Sequence, residues 1–134
     1  MSERTWADAM GVEFIRATKD EVVLEVEIGE QHRQHFGLIH GGVHTGLIET
    51  AASLGAFLVE QERGRSVVGL ENHTSFVRAA RAGRVRVVAT PITRGRTTQV
   101  WEANVRDADD RILATGRVRL LCVDAPKPDD PGSA

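Results

Sequence analysis

The stretch from Gly42 to Val59 constrains this chain more than any other: it is apolar on nearly every side and carries Glu49 as its one formally charged side chain. It is too long for a strand, and a helix that is apolar all round has to be enclosed by the rest of its fold. No window of the sequence reaches the run of about 20 uncharged apolar residues that spans a bilayer. The polar run Glu60-Gln61-Glu62-Arg63-Gly64 closes in glycine and marks the C-terminal stop of the helix. The chain has 134 residues, 41% of them hydrophobic, which is enough for one core and too little for two.

The enclosure has to come from strands. In Glu21 to Ile28, Val22, Leu24, Val26 and Ile28 fall on one face and Glu21, Glu25 and Glu27 on the other, the period of a half-buried strand. Residues 84–90, 97–105 and 112–123 alternate in the same way, joined by Arg94-Gly95-Arg96 and by Asp107-Ala108-Asp109-Asp110, which are breaks of hairpin length. A fifth strand is predicted over 66–77 and a short amphipathic helix over Thr5 to Met10. Asp124 to Ala134 hold three of the four prolines and read as a disordered tail, so the domain is placed at 1–123 and the tail at 124–134. The order gives an α+β fold, one curved antiparallel sheet of five to six strands around a central helix. Such a sheet leaves a face and its edges uncovered, which calls for a second copy.

Charge and targeting signals narrow the function classes. A net charge of -2 gives no positive field to gather nucleic acid or an anionic membrane. Met1 to Trp6 lack the build of a signal peptide, and the expectation is a soluble, cytoplasmic protein. The single cysteine, Cys122, makes neither an internal disulfide nor a zinc cluster and reads as a small core residue.

Glu49 needs a reason, because burying a carboxylate unpaired costs several kcal/mol. Either it is kept as a nucleophile or base, or it pairs with an arginine across a subunit interface. Gly41 and Gly42 at the helix start either permit a tight turn or bring unpaired N–H groups, backed by the positive end of the helix dipole, close to an oxyanion. His40 and His44 stand four apart, as a zinc pair would, but the glutamate of a His-Glu-x-x-His motif is missing, so no metal is expected. His32, His35 and His73 have no motif around them. Six arginines, Arg78, Arg81, Arg84, Arg86, Arg94 and Arg96, crowd one segment and suit either phosphate oxygens or a solvated sheet face.

These residues also form a recognisable series. Gln34-x-x-Gly37-x-x-His40-Gly41-Gly42, Glu49 nine residues after the histidine, Gly69-Leu70-Glu71, Val77-Arg78-x-Ala80-Arg81, Gly95 to Trp101 and Asp109-x-Arg111 resemble the hotdog-fold acyl-CoA thioesterases. Within them the series resembles the branch that holds 1,4-dihydroxy-2-naphthoyl-CoA, glutamate-type 4-hydroxybenzoyl-CoA and PaaI-like thioesterases. The resemblance runs from about Trp6 to Val123. It implies Glu49 as the catalytic carboxylate, Gly41 as the oxyanion amide, His40 and Gln34 as its supports, and Ser53 as a hydroxyl placing water or substrate. Where that branch reads Asn-Ala-Asn-His-Val-Arg, this chain has His73 to Arg78, with Phe76 in place of the histidine. A homodimer joined sheet edge to sheet edge, doubled to a tetramer with shared sites, is implied as well. Coenzyme A would pass near Arg78, Arg81 or Arg96, beside Gly42 and Phe76, with no other cofactor. The expected reaction is hydrolysis of an aromatic or aryl-acetyl CoA thioester, and Leu47, Ile48, Ala52 and Phe57 are expected to line the acyl pocket. The rivals are a hotdog-fold hydratase or dehydratase pairing His40 or His44 with Glu49, and a non-catalytic acyl-CoA-binding module.

Overall fold

The computed structural model describes residues 4–126. A helix α1 (Trp6–Ala9) is followed by β1 (Glu13–Ala17), β2 (Val22–Ile28), a 3-10 turn (Glu30–His32), the long helix α2 (Gly41–Gln61), and β3 (Arg65–Phe76), β4 (Gly83–Arg94), β5 (Thr98–Arg106) and β6 (Ile112–Asp124). The strands form one antiparallel sheet in the order β1-β2-β4-β5-β6-β3, and α2 lies against it. The tail expected from Asp124 onward falls largely outside the described residues; Asp124 itself closes β6.

The alternation read from the sequence is what the sheet uses. In β2, Val22, Leu24 and Val26 are fully buried, opposite Ala89, Val87 and Val85 of β4 respectively. In β5 the inward residues are Gln99, Trp101, Ala103 and Val105. Trp101, Ala103 and Val105 meet Leu47, Ile48, Ala51, Ala52 and Ala56 of α2 in one core, and Gln99 Nε2 donates to the Ala56 carbonyl at 3.1 Å. Trp101 packs so closely that a Cβ on Gly55 would stand 2.4 Å from its ring, so glycine at 55 sets how near helix and sheet can come.

Three differences from the sequence reading have physical causes. Strand β1 was not expected. Its five residues are all exposed, and Ile15 is the extra residue of a bulge between Phe14 and Arg16, which removes the period-2 signal. Glu60, expected in a polar stop, belongs to the last turn of α2 and is completely buried. By length and composition α2 would also suffice to cross a membrane, contrary to the window argument, yet the sheet encloses it as the core helix of the fold.

The two edges differ. β1 is short, whereas β3 is twelve residues long, pairs only with β6, and exposes Val68 and Leu70 to 48% and 46%. A long edge with apolar side chains is a template for another strand.

Candidate active site

The approach to α2 is held by a buried histidine. His32, 1% exposed, accepts the Gly29 N–H on Nδ1 at 2.8 Å, and its Nε2 lies 2.7 Å from the Met10 carbonyl, to which it donates. The His32 carbonyl then takes the N–H of His40, and the Ala80 carbonyl takes that of Ile39. His40, extended at ψ 133, is the N-cap; its Nδ1 accepts from the Gly42 N–H at 2.7 Å and its carbonyl from Val43. The two glycines therefore separate in role. Gly42 gives its amide to the cap, while the amide of Gly41 meets no acceptor among the described residues. It stands at the positive end of a 21-residue helix, where a developing negative charge is best received.

Gln34 enters the same place. Its Oε1 accepts from the amides of Phe36 and Leu38, which fixes the side chain on its own loop and leaves the amide nitrogen unengaged among the described hydrogen bonds. Gln34, Gly41, His44, Phe76, Val77 and Arg78 border a cleft of about 370 Å³. Leu38, Ile39, Ala79 and Ala80 supply further lining. The residues expected to form an acyl pocket do not reach this cleft: Leu47, Ile48 and Ala52 face the core at 0% exposure, and Phe57 is half-buried elsewhere on α2. The apolar wall comes instead from the loop after Gln34 and the residues following β3. Phe76, 60% exposed, leans over the helix start, where a Cβ on Gly41 would be 2.9 Å from its Cζ. His44 is buried at 4% exposure, and burial pulls its pKa down to about 4.

Glu49 lies further along α2 on another face and is only half-buried, less enclosed than the sequence pattern suggested. Ser53 Oγ donates to its Oε2 at 2.9 Å, and Asn72 Nδ2 of β3 donates to Oε1 at 3.2 Å and to the Thr45 carbonyl at 3.1 Å. Thr74 Oγ1 in turn donates to Asn72 Oδ1 at 2.7 Å. Gly69 leaves the room, since a Cβ there would be 2.9 Å from Glu49 Oε2. Asn72 escaped the sequence reading; the one available signal was an amide side chain beside the Gly69-Leu70-Glu71 block.

The other acid of α2 behaves differently. Glu60 is held by Arg63 at 2.9 Å, Arg65 at 3.8 Å and Gln99 at 3.5 Å. It is a paired structural carboxylate, whereas Glu49 has hydrogen-bond donors but no cation among the described residues. Glu49 and Gly41 are eight residues apart, about 12 Å along the helix axis, and Glu49 does not border the cleft. One chain cannot aim both at one carbonyl. Glu49 instead lies beneath β3, the open edge.

Of the arginines, Arg78 borders the cleft and Arg81 Nη1 donates to the Phe36 carbonyl at 3.0 Å, at the cleft's outer loop. Arg96 is at the opposite end of α2, where its carbonyl accepts from Arg65. His35 and His73 are exposed. Among the described residues no three His, Cys, Asp or Glu side chains gather as metal ligands would. His44 and Glu49 are about 140° apart around the helix, which does not bring them together as a proton-transfer pair.

Residues 36–114 match the family model described as the thioesterase superfamily. The 1,4-dihydroxy-2-naphthoyl-CoA hydrolase of Listeria monocytogenes is 36% identical over 113 residues, which are 84% of this chain and 91% of that protein. The proofreading thioesterase EntH of Cronobacter turicensis is 34% identical over 114 residues, 85% of this chain and 82% of its own. Among solved structures, a thioesterase from Haemophilus influenzae superposes with a TM-score of 0.85 at 31% identity, covering 92% of this chain and 86% of the other.

Proposed function

This chain belongs to the thioesterase superfamily, with the hotdog fold and a thioester hydrolase's activity, and we propose that it hydrolyses an aromatic or aryl-acetyl CoA thioester to the free acid and coenzyme A. The observation that carries the reading is the unengaged Gly41 amide, at the start of α2 and on the border of an apolar cleft. There it would polarise the thioester carbonyl, with the Gln34 amide nitrogen beside it and His40 holding the turn. Glu49 is the nucleophile or general base. Either it attacks the carbonyl carbon and displaces the coenzyme A thiolate, giving a mixed anhydride that water hydrolyses to the free acid and the restored carboxylate, or it takes a proton from a water whose oxygen attacks the carbon and breaks the C–S bond; in both cases the sulfur takes up the proton that the water gives up. Ser53 orients the carboxylate and the water.

The 12 Å between Gly41 and Glu49 is bridged by a second copy. Two chains pairing along β3 would bring the cleft of one toward Glu49 of the other, and the edges of such dimers permit a tetramer. Coenzyme A phosphates are placed near Arg78 and Arg81. The apolar lining and Phe76 support a flat acyl group, as does the naphthoyl-CoA named for the Listeria relative.

The test is thiol release from a panel of acyl-CoA thioesters by the parent and by Glu49→Gln. Benzoyl-, phenylacetyl- or naphthoyl-type thioesters should exceed acetyl-CoA in kcat/KM by at least about tenfold, the roughly 1.4 kcal/mol that a buried ring readily supplies. Glu49→Gln should assemble normally and lose about 10² or more in kcat. Binding without release would leave a binding module in place of the enzyme. A preference for long aliphatic chains would remove the aromatic assignment.

A further inference from the structure

Three buried side-chain atoms among the described residues lack a hydrogen-bond partner: Glu60 Oε2, Arg65 Nε and His44 Nδ1. The first two face each other across 3.8 Å and compensate electrostatically. His44 has no such counterpart. It differs in this from the other buried histidine, His32, whose ring is engaged at both nitrogens. Among the described residues no hydrogen bond engages either nitrogen of His44, yet the residue is 96% enclosed and borders the cleft one helical turn beyond Gly41. Its ring lies 6.2 Å from that of Phe76, centroid to centroid, with the planes inclined by 39°. Leaving a polar ring unpaired in an apolar wall costs free energy, and a bound group that completes it recovers that cost.

We propose that His44 is a specificity-determining residue that hydrogen-bonds a hydroxyl carried by the acyl group, so that the enzyme prefers hydroxylated acyl thioesters to their unsubstituted analogues. This rests on the thioesterase reading above and deepens it. With the carbonyl oxygen on the Gly41 amide, an acyl group extending along the cleft meets His44 after about one helical pitch, roughly 5 Å, the depth of a ring substituent. Burial keeps the imidazole neutral at physiological pH, so it has one nitrogen that accepts and one that donates, and can take the hydroxyl hydrogen or offer its own to the oxygen. An apolar residue here would pack as well against Phe76, but it would not distinguish the two classes of substrate.

The experiment compares kcat/KM for 2-, 3- and 4-hydroxybenzoyl-CoA with that for benzoyl-CoA in the parent, His44→Phe and His44→Gln. The parent should favour at least one hydroxylated isomer by about tenfold or more. In His44→Phe that ratio should fall to near one, whatever change in turnover the two substrates share, and the Gln amide should restore part of it. A purely structural role would depress both substrates together. A parent ratio near one, or a ratio that survives in His44→Phe, overturns the proposal. If only aliphatic thioesters are hydrolysed, the aromatic reading fails separately, and the same ratio is read on 3-hydroxyhexanoyl- and hexanoyl-CoA. Should His44→Phe fail to assemble by sedimentation, His44→Gln and His44→Leu carry the comparison.

Discussion

Removing the amide hydrogen of Gly41 is a one-atom question, and the helix start offers a way to ask it. Gly41 is the first helical residue and has no left-handed φ, and His40 before it is extended, so proline fits this backbone while deleting the N–H. Alanine keeps the N–H and sets its Cβ against the same flexible end of Phe76. Gly41→Pro should therefore lower kcat by about 10² to 10³ while Gly41→Ala stays within about tenfold of the parent. Equal losses in the two variants would show that the ring of Phe76, and not the amide, is what matters. His44 gives a pH prediction at the same scale. Above pH 6.5 its ring is neutral folded and unfolded; as pH falls from 6.5 toward 4 only the unfolded chain takes up the proton, so stability is lost over that window and the loss is complete below about 4. The full effect is about 3 kcal/mol. Urea midpoints at pH 7.5 and 4.5, at one fixed protein concentration, should move further apart for the parent than for His44→Gln; parallel movement would contradict it. The sequence singled out Glu49 and the glycine pair because one charge in an apolar helix and two glycines before it are visible as residue types. Residue types alone could not separate Gly41 from Gly42, which only the resemblance distinguished, since the physical difference lies in the rotamer of the His40 cap. Nor could it show Glu60 as buried, because its partners Arg65 and Gln99 lie on strands brought there only by the fold.

At the level of elements, α2 touches two aromatic residues through glycines, with opposite expected costs. A Cβ on Gly46 would stand 2.5 Å from Trp6, whose ring is 42% exposed and free to move with α1. A Cβ on Gly55 would stand 2.4 Å from Trp101, which is fully buried and whose Nε1 donates to Gln99 Oε1 at 2.8 Å. Either alanine gains about 1 kcal/mol of helix propensity. At Gly46 that gain survives or is offset by a small shift of α1, so Gly46→Ala should stay within about 1 kcal/mol of the parent. At Gly55 overpacking against a locked ring exceeds it, and Gly55→Ala should lose about 2 kcal/mol or more. Equal denaturation midpoints for the two would mean that the helix can lift from the sheet without penalty. The same comparison explains what was legible. Strands β2, β4, β5 and β6 carry strong periods because each buries one face against the core, and α2 stands out because it is long and apolar on nearly every side. β1 buries none of its five residues and is interrupted by the Ile15 bulge, so nothing in its pattern marks it as a strand.

At the scale of the whole molecule, the proposed site calls for a second copy. The open β3 edge with Val68 and Leu70 exposed predicts a dimer or larger assembly by sedimentation at micromolar concentration, and a stable single chain would end the shared-site reading. A sharper test uses two inactive variants. If each site takes its carboxylate from one chain and its amide from the other, Glu49→Gln homodimers lack every carboxylate and Gly41→Pro homodimers lack every amide. A mixed dimer then contains one doubly damaged site and one intact site, made from the Glu49 of the Gly41→Pro chain and the Gly41 of the Glu49→Gln chain. Random exchange makes half of the dimers mixed, so about a quarter of all sites should be intact. Refolding the two variants together should therefore recover about a quarter of the parent's specific activity, while each refolded alone stays about 10² or more below the parent. If both groups came from one chain, no mixture could contain an intact site, and activity that stays at the level of the separate variants after confirmed exchange would show it.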